Sequence, residues 1–259
     1  MLLMCREMTM NYVRIKVTFV DSDGIRVIIA HHRDARPGEY WCDQPMPTET
    51  ILGAVSFDHC RVAVGLLSPV LAWLLDDLPL GIVEECYQPK DKAHPVRLHV
   101  PYFPKNIPAG LHTVLVLKPK SDEALVIDPS SMQYGHIVKT HKYTEYVAKY
   151  KGEGEQHNDP FGFTYMIVRD GAIAGEGHCI SSILVIRELN EAVWQAVGGL
   201  GGRGKLYAMS HLDLVKARDK IGRRVRDALA RFRVEADGPG LDFLLSAQMD
   251  GPGHIAMMA

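Results

Sequence analysis

The chain has 259 residues, 47% of them hydrophobic and 23% charged, with a formal net charge of −2. These values exclude a disordered tail, a collagen-like rod and a globally basic nucleic-acid binder. Five scattered cysteines are too few for a disulfide framework, so reduced thiols in the cytoplasm are expected.

The N-terminus lacks a charged start followed by an apolar stretch, so no secretory signal is expected. Tyr12–Val20 alternates β-branched or aromatic residues with polar ones, the period of a half-buried strand. Asp21–Gly24 supplies a turn, and Ile25–Ala30 returns as its antiparallel partner. A loop rich in Pro, Gly and charge fills His31–Pro47. Ser56 or Asp58 then caps a helix with Val62, Leu66, Leu67, Val70, Leu71 and Leu74 on its apolar side. The run Val62–Leu75 falls short of the roughly 20 residues that span a bilayer, so it reads as a buried core helix. Pro69 should kink or divide it.

Prolines at 79, 89, 95, 101, 104 and 108 mark the segment to Gly110 as an extended connector. Strands follow at Leu111–Lys118 and Ala124–Asp128. Polar Lys149–Pro160 reads as a mobile loop. Phe163–Arg169 and Ile180–Ile186 read as strands, Glu188–Val197 as a helix, Leu206–Met209 as a short strand and Leu212–Arg233 as the last strong helix. No linker divides the chain, and the expectation is one α+β domain over 1–259. Its parts are N-terminal strands and loop (1–47), a Cys-His-Asp core (48–130) and C-terminal strands and helices (131–259). An antiparallel sheet would pack on the Cys-bearing helix, with a basic amphipathic helix near the C-terminus.

Three residues carry the chemistry. Cys60 sits at the expected start of the buried helix, where the positive end of the helix dipole favours a thiolate. His112 opens one strand and Asp128 closes the next. In an antiparallel hairpin the start of one strand lies beside the end of the other, so the carboxylate would orient the imidazole. An oriented imidazole beside a thiol is the apparatus of nucleophilic acyl transfer. Each residue also has a plain reading, as a buried thiol, a strand-edge histidine and a strand-ending Asp-Pro turn.

The order His59-Cys60-Arg61-Val62-Ala63, then His112-Thr113-Val114, then Val126-Ile127-Asp128-Pro129 resembles the transglutaminase-like branch of the papain-like cysteine enzymes over about residues 55–130. His59 and Arg61 stand where that family usually has Gly or Gln and an aromatic. The resemblance implies an acyl group carried as a thioester on Cys60, with hydrolysis or transfer of an amide or ester. An oxyanion would be held by the Cys60 backbone N–H, with Gln44 or Trp41 as side-chain candidates.

Other features are weighed beside these. Cys179, in a glycine-rich turn with His178, and Cys42 read as structural thiols. There is no Cys-x-x-Cys, and His94/His99 and His136/His141 lack supporting ligands, so neither a zinc site nor a cofactor is expected. Gly199–Lys205 matches phosphate-loop spacing but ends in Leu206, without the hydroxyl and the following helix such a loop needs. The last helix sets Leu212, Val215, Ile221, Val225, Leu229 and Phe232 in an apolar stripe. Its eight cations, among them Lys216, Lys220, Arg223, Arg224 and Arg226, outnumber four acids. Such a face suits an acidic or phosphate-bearing partner, for example a tRNA- or coenzyme-A-linked acyl donor. The sequence thus supports a thiol acyltransferase or hydrolase acting on a small-molecule or peptide substrate, and, as the second reading, a non-catalytic module that binds through this helix. No membrane association is expected.

Overall fold

The computed structural model describes residues 13–20, 26–32, 60–90, 96–99, 111–120, 123–131 and 140–236. The Asp21–Gly24 turn, Ser56, Asp58, Trp41, Gln44 and Cys42 lie outside them. By internal contacts the chain divides into two compact units, Met1–Asn190 and Glu191–Ala259. The architecture is α+β, as the alternation of strand and helix patterns implied.

In the first unit, β1 (Val13–Val20) and β2 (Arg26–His32) form the expected antiparallel pair, and β4 (Val96–His99) joins β2 in parallel. A five-stranded antiparallel sheet has the order β7-β6-β5-β3-β8. Its members are β3 (Leu80–Pro89), β5 (His112–Pro119), β6 (Leu125–Ile127), β7 (Thr140–Lys142) and β8 (Lys151–Pro160). Helix α1 (Cys60–Leu75) packs on β5 and on α3 (Phe163–Ile173). Helix α2 (Tyr143–Tyr150) supplies Tyr146 and Tyr150 to a core with Tyr87, Val114, Val116 and Val126. Among the described residues no helix is long and apolar enough to cross a membrane.

Several sequence expectations give way here. The segment assigned as a connector contains β3, which lies between β5 and β8. Its prolines fall just before the strand and at its last residue, where a missing ladder donor is tolerated. Glu84-Glu85 disguised it, since both carboxylates are buried and each has partners. The polar segment expected as a mobile loop is β8. As an edge strand it needs one neighbour only, and largely exposed polar residues suit an edge. Gly152 fits because a Cβ there would come within 3.0 Å of the Gln88 carbonyl oxygen.

Phe163–Arg169, expected as a strand, lies within helix α3. Its first turn is held by Glu84, whose carboxylate accepts from the Gly162 N–H (2.8 Å), the Thr164 N–H (3.0 Å) and the Thr164 hydroxyl. An anion at a helix N-terminus satisfies donors that the helix itself leaves open. Helix α4 (Gly177–Gly198) is continuous where a strand and a shorter helix were expected. Helix α1 also runs unbroken through Pro69, with the Ser68 hydroxyl donating to the Val64 carbonyl at 2.8 Å. At Gly65 a Cβ would lie 3.3 Å from Thr164 Cγ2, so α1 and α3 approach closely there.

The second unit contains the end of α4, a short α5 (Arg203–Tyr207) and α6 (His211–Ala236). No strand forms at Leu206–Met209, and a helical turn, α5, begins inside the glycine-rich segment at Arg203. On α6, Ala217, Val225, Ala228 and Leu229 are buried. Leu212 is 64% exposed, so the apolar stripe does not begin there.

Candidate active site

Cys60 is the first residue of α1 and is buried, with its thiol donating to the Leu111 carbonyl at 3.5 Å. The chain turns from Leu111 directly into His112, the first residue of β5. β5 pairs antiparallel with β6, Leu115 opposite Ile127, so Asp128 leaves β6 near the start of β5. His112 Nε2 and Asp128 Oδ2 are 3.1 Å apart, and both side chains are buried. Cys60 acts on the same ring. The thiol interacts with the ring both as a hydrogen-bond partner and as a charge.

Asp128 is anchored on every side. Its Oδ1 accepts from the Ser130 N–H at 3.0 Å and the Ser130 hydroxyl at 3.1 Å, and its Oδ2 accepts from the Tyr146 hydroxyl at 2.6 Å. Tyr87 extends this chain by donating its own hydroxyl to Tyr146 at 2.9 Å. The Tyr87 ring also stands edge-on to His112, 5.3 Å between centroids, because the two residues are register partners across β3 and β5.

The electrostatics follow from this burial. Burial alone would lower the His112 pKa. The charge and hydrogen bond of Asp128, followed by Cys60, outweigh it and raise the value from 6.5 to about 10. Burial would raise the Asp128 pKa, but the His112 charge and the hydrogen bonds from His112, Tyr146 and Ser130 hold it below the usual aspartate value. At neutral pH the pair is therefore imidazolium and carboxylate.

The three residues Cys60, His112 and Asp128 thus come together. Tyr87 and Tyr146 are additional members of the constellation. Tyr87 lay in the segment assigned as a connector, and Tyr146 offered no local motif. The oxyanion candidates Trp41 and Gln44 fall outside the described residues. Lys216, Lys220, Arg223, Arg224 and Arg226 are all exposed on α6, in the second unit. Lys216 Nζ lies 3.8 Å from Asp213 Oδ1, and the Arg224 guanidinium donates to Gln195 Oε1. Cys179 lies in the first turn of α4, not in a turn before a strand, and its thiol donates to Glu176 Oε2 at 3.4 Å. Burial and that carboxylate raise its pKa, the wrong direction for a nucleophile.

No family model, curated protein or solved structure matches the chain.

Proposed function

We propose that the chain is a thiol enzyme of acyl transfer with Cys60 as nucleophile, His112 as proton carrier and Asp128 as the group that orients and charges His112. The observation that carries this reading is a buried imidazole bonded through one ring nitrogen to a carboxylate while it also interacts with a thiol at a helix start. A transglutaminase-like origin agrees with the same order of Cys, His and Asp. Among the described residues Cys60, Cys86 and Cys179 are in no disulfide, which suits a reducing cytoplasm.

In the reaction Cys60 attacks as the thiolate paired with the His112 imidazolium, and its sulfur bonds to the carbonyl carbon of an amide or ester. The carbonyl electron pair moves to oxygen, and backbone N–H groups of the first turn of α1, which have no acceptor within the helix, are oriented to meet that charge. As the tetrahedral centre collapses, the imidazolium protonates the departing amine or alcohol and a thioester remains. An incoming water, amine or alcohol then loses its proton to His112, attacks the thioester and releases the thiolate.

The acyl substrate is a small molecule or a peptide. The exposed cations of α6 favour a phosphate-bearing donor such as aminoacyl-tRNA or acyl-coenzyme A. They equally serve a non-catalytic module that binds an acidic partner. The deciding experiment is incubation with an activated acyl ester followed by intact-mass analysis. The enzyme reading expects one acyl adduct, labile to hydroxylamine and absent from Cys60→Ala. An adduct that persists in Cys60→Ala, or none under conditions that acylate free cysteine, contradicts it.

A further inference from the structure

A second group of Cys, His and Asp, none of them a member of the triad, lies on β3 and β8. Cys86 and His157 face each other across the antiparallel ladder, and Asp159 stands two residues beyond His157 on the same face. Cys86 Sγ is 3.7 Å from Asp159 Oδ2, and His157 Nε2 is 3.4 Å from the same oxygen. One donor atom from each of the three residues lies within 4.8 Å of the others. We propose that Cys86, His157 and Asp159 form a three-donor site for a thiophilic divalent metal ion of the zinc class.

Spacing and chemistry both support the assignment. Donors bound to zinc at 2.0–2.3 Å in a tetrahedron stand about 3.3–3.6 Å apart. The two separations to Asp159 Oδ2 are close to that range. The remaining Cys86–His157 separation closes by turning His157, whose side chain is 38% exposed. Thiolate, imidazole and carboxylate are the three protein ligand types zinc accepts, and together they leave a fourth position for water or a substrate atom. Thr113 Oγ1 lies 3.3 Å from Cys86 Sγ, where a hydroxyl can orient the sulfur from outside the coordination sphere.

Two charged neighbours bear on the site. Glu84 pairs with Asp159 across the ladder, but its carboxylate accepts from the first turn of α3 and so is not counted as a ligand. Arg61 acts on the Cys86 thiol by charge and hydrogen bond and has an exposed side chain. A thiolate and a carboxylate neutralise a divalent ion, so the guanidinium faces a site of no net charge. In the metal-free protein burial raises the Cys86 pKa, and binding displaces its proton to solvent. Sequence spacing hid this cluster, because its members are 71 residues apart along the chain (157 minus 86) and meet only by strand pairing.

The test uses the full chain, stripped with chelator and titrated with Co²⁺ as a spectroscopic probe and then with Zn²⁺. The proposal expects a thiolate-to-cobalt charge-transfer band that saturates at one ion per chain and is displaced by Zn²⁺. The band should persist in Cys60→Ala and Cys179→Ser, and disappear in Cys86→Ser. His157→Ala alters a part-exposed side chain and is the safeguard should Cys86→Ser fail to fold. It should weaken Zn²⁺ binding by more than about tenfold, since even outer-shell partners change affinity by that factor. No saturable band, a band lost with Cys60, or unchanged affinity in folded His157→Ala overturns the proposal.

Discussion

Replacing Asp128 with Asn removes the negative charge that sets the state of His112 while nearly preserving shape. The rise of His112 from 6.5 to about 10 corresponds to a preference for the imidazolium on the order of 5 kcal/mol. In Asp128→Asn burial acts on the imidazole with only Cys60 to oppose it, so the His112 pKa should fall below 6.5. The stability of the fold should change with pH accordingly. A histidine whose folded pKa is raised contributes stability that is fully present below its unfolded value and lost as pH rises through the folded value. For the wild type the loss therefore runs from about pH 6.5 to about pH 10. Asp128 has the opposite sign: its depressed pKa gives stability present above its unfolded value near 3.8 and lost as pH falls through the folded value. NMR titration of the His112 ring and urea unfolding across this range read the two effects separately. A wild-type His112 that titrates near 6.5, or an Asp128→Asn protein whose stability still falls steeply from pH 6.5 to 10, would refute the reasoning.

Other substitutions address the support of the site. Tyr146→Phe removes the 2.6 Å bond to Asp128 and the acceptor used by Tyr87, and should cost about 1–3 kcal/mol in denaturant unfolding. A loss too small to measure would remove Tyr146 from the constellation. Glu84→Gln takes the anion from the first turn of α3 and should destabilise by about 1–3 kcal/mol, with faster amide exchange at Thr164. Unchanged exchange there would show that the helix does not depend on Glu84. Gly65→Val presses a branched side chain into Thr164 and should cost about 1–3 kcal/mol, whereas full stability would mean α1 and α3 can separate without penalty.

The hairpin logic of the site was legible because it is local. His112 and Asp128 belong to consecutive strands, and antiparallel pairing of neighbours in sequence places the start of one beside the end of the other. Cys60 was legible because an apolar run of helical length follows it directly. Long-range pairing was not legible. β3 hides between prolines and behind two glutamates, whose charge is answered by Gly162 and α3, Lys151 and Tyr143 from distant parts of the chain. β8 has loop composition, and its strand geometry comes from β3 alone. Phe163–Arg169 reads as a strand by residue type, yet Glu84 supplies the missing first-turn acceptor and tertiary context decides for a helix. Tyr87 and Tyr146 joined the site through the same non-local contacts.

The central claim is that Cys60 is a nucleophile activated by His112 and Asp128. It is tested most directly by exposing the native chain to a limiting alkylating reagent at neutral pH and mapping the labelled peptides by mass spectrometry. The account predicts preferential labelling of Cys60 over the other four cysteines, with that preference abolished in His112→Ala. Uniform slow labelling of all five thiols, or a preference for Cys60 that survives His112→Ala, would contradict it.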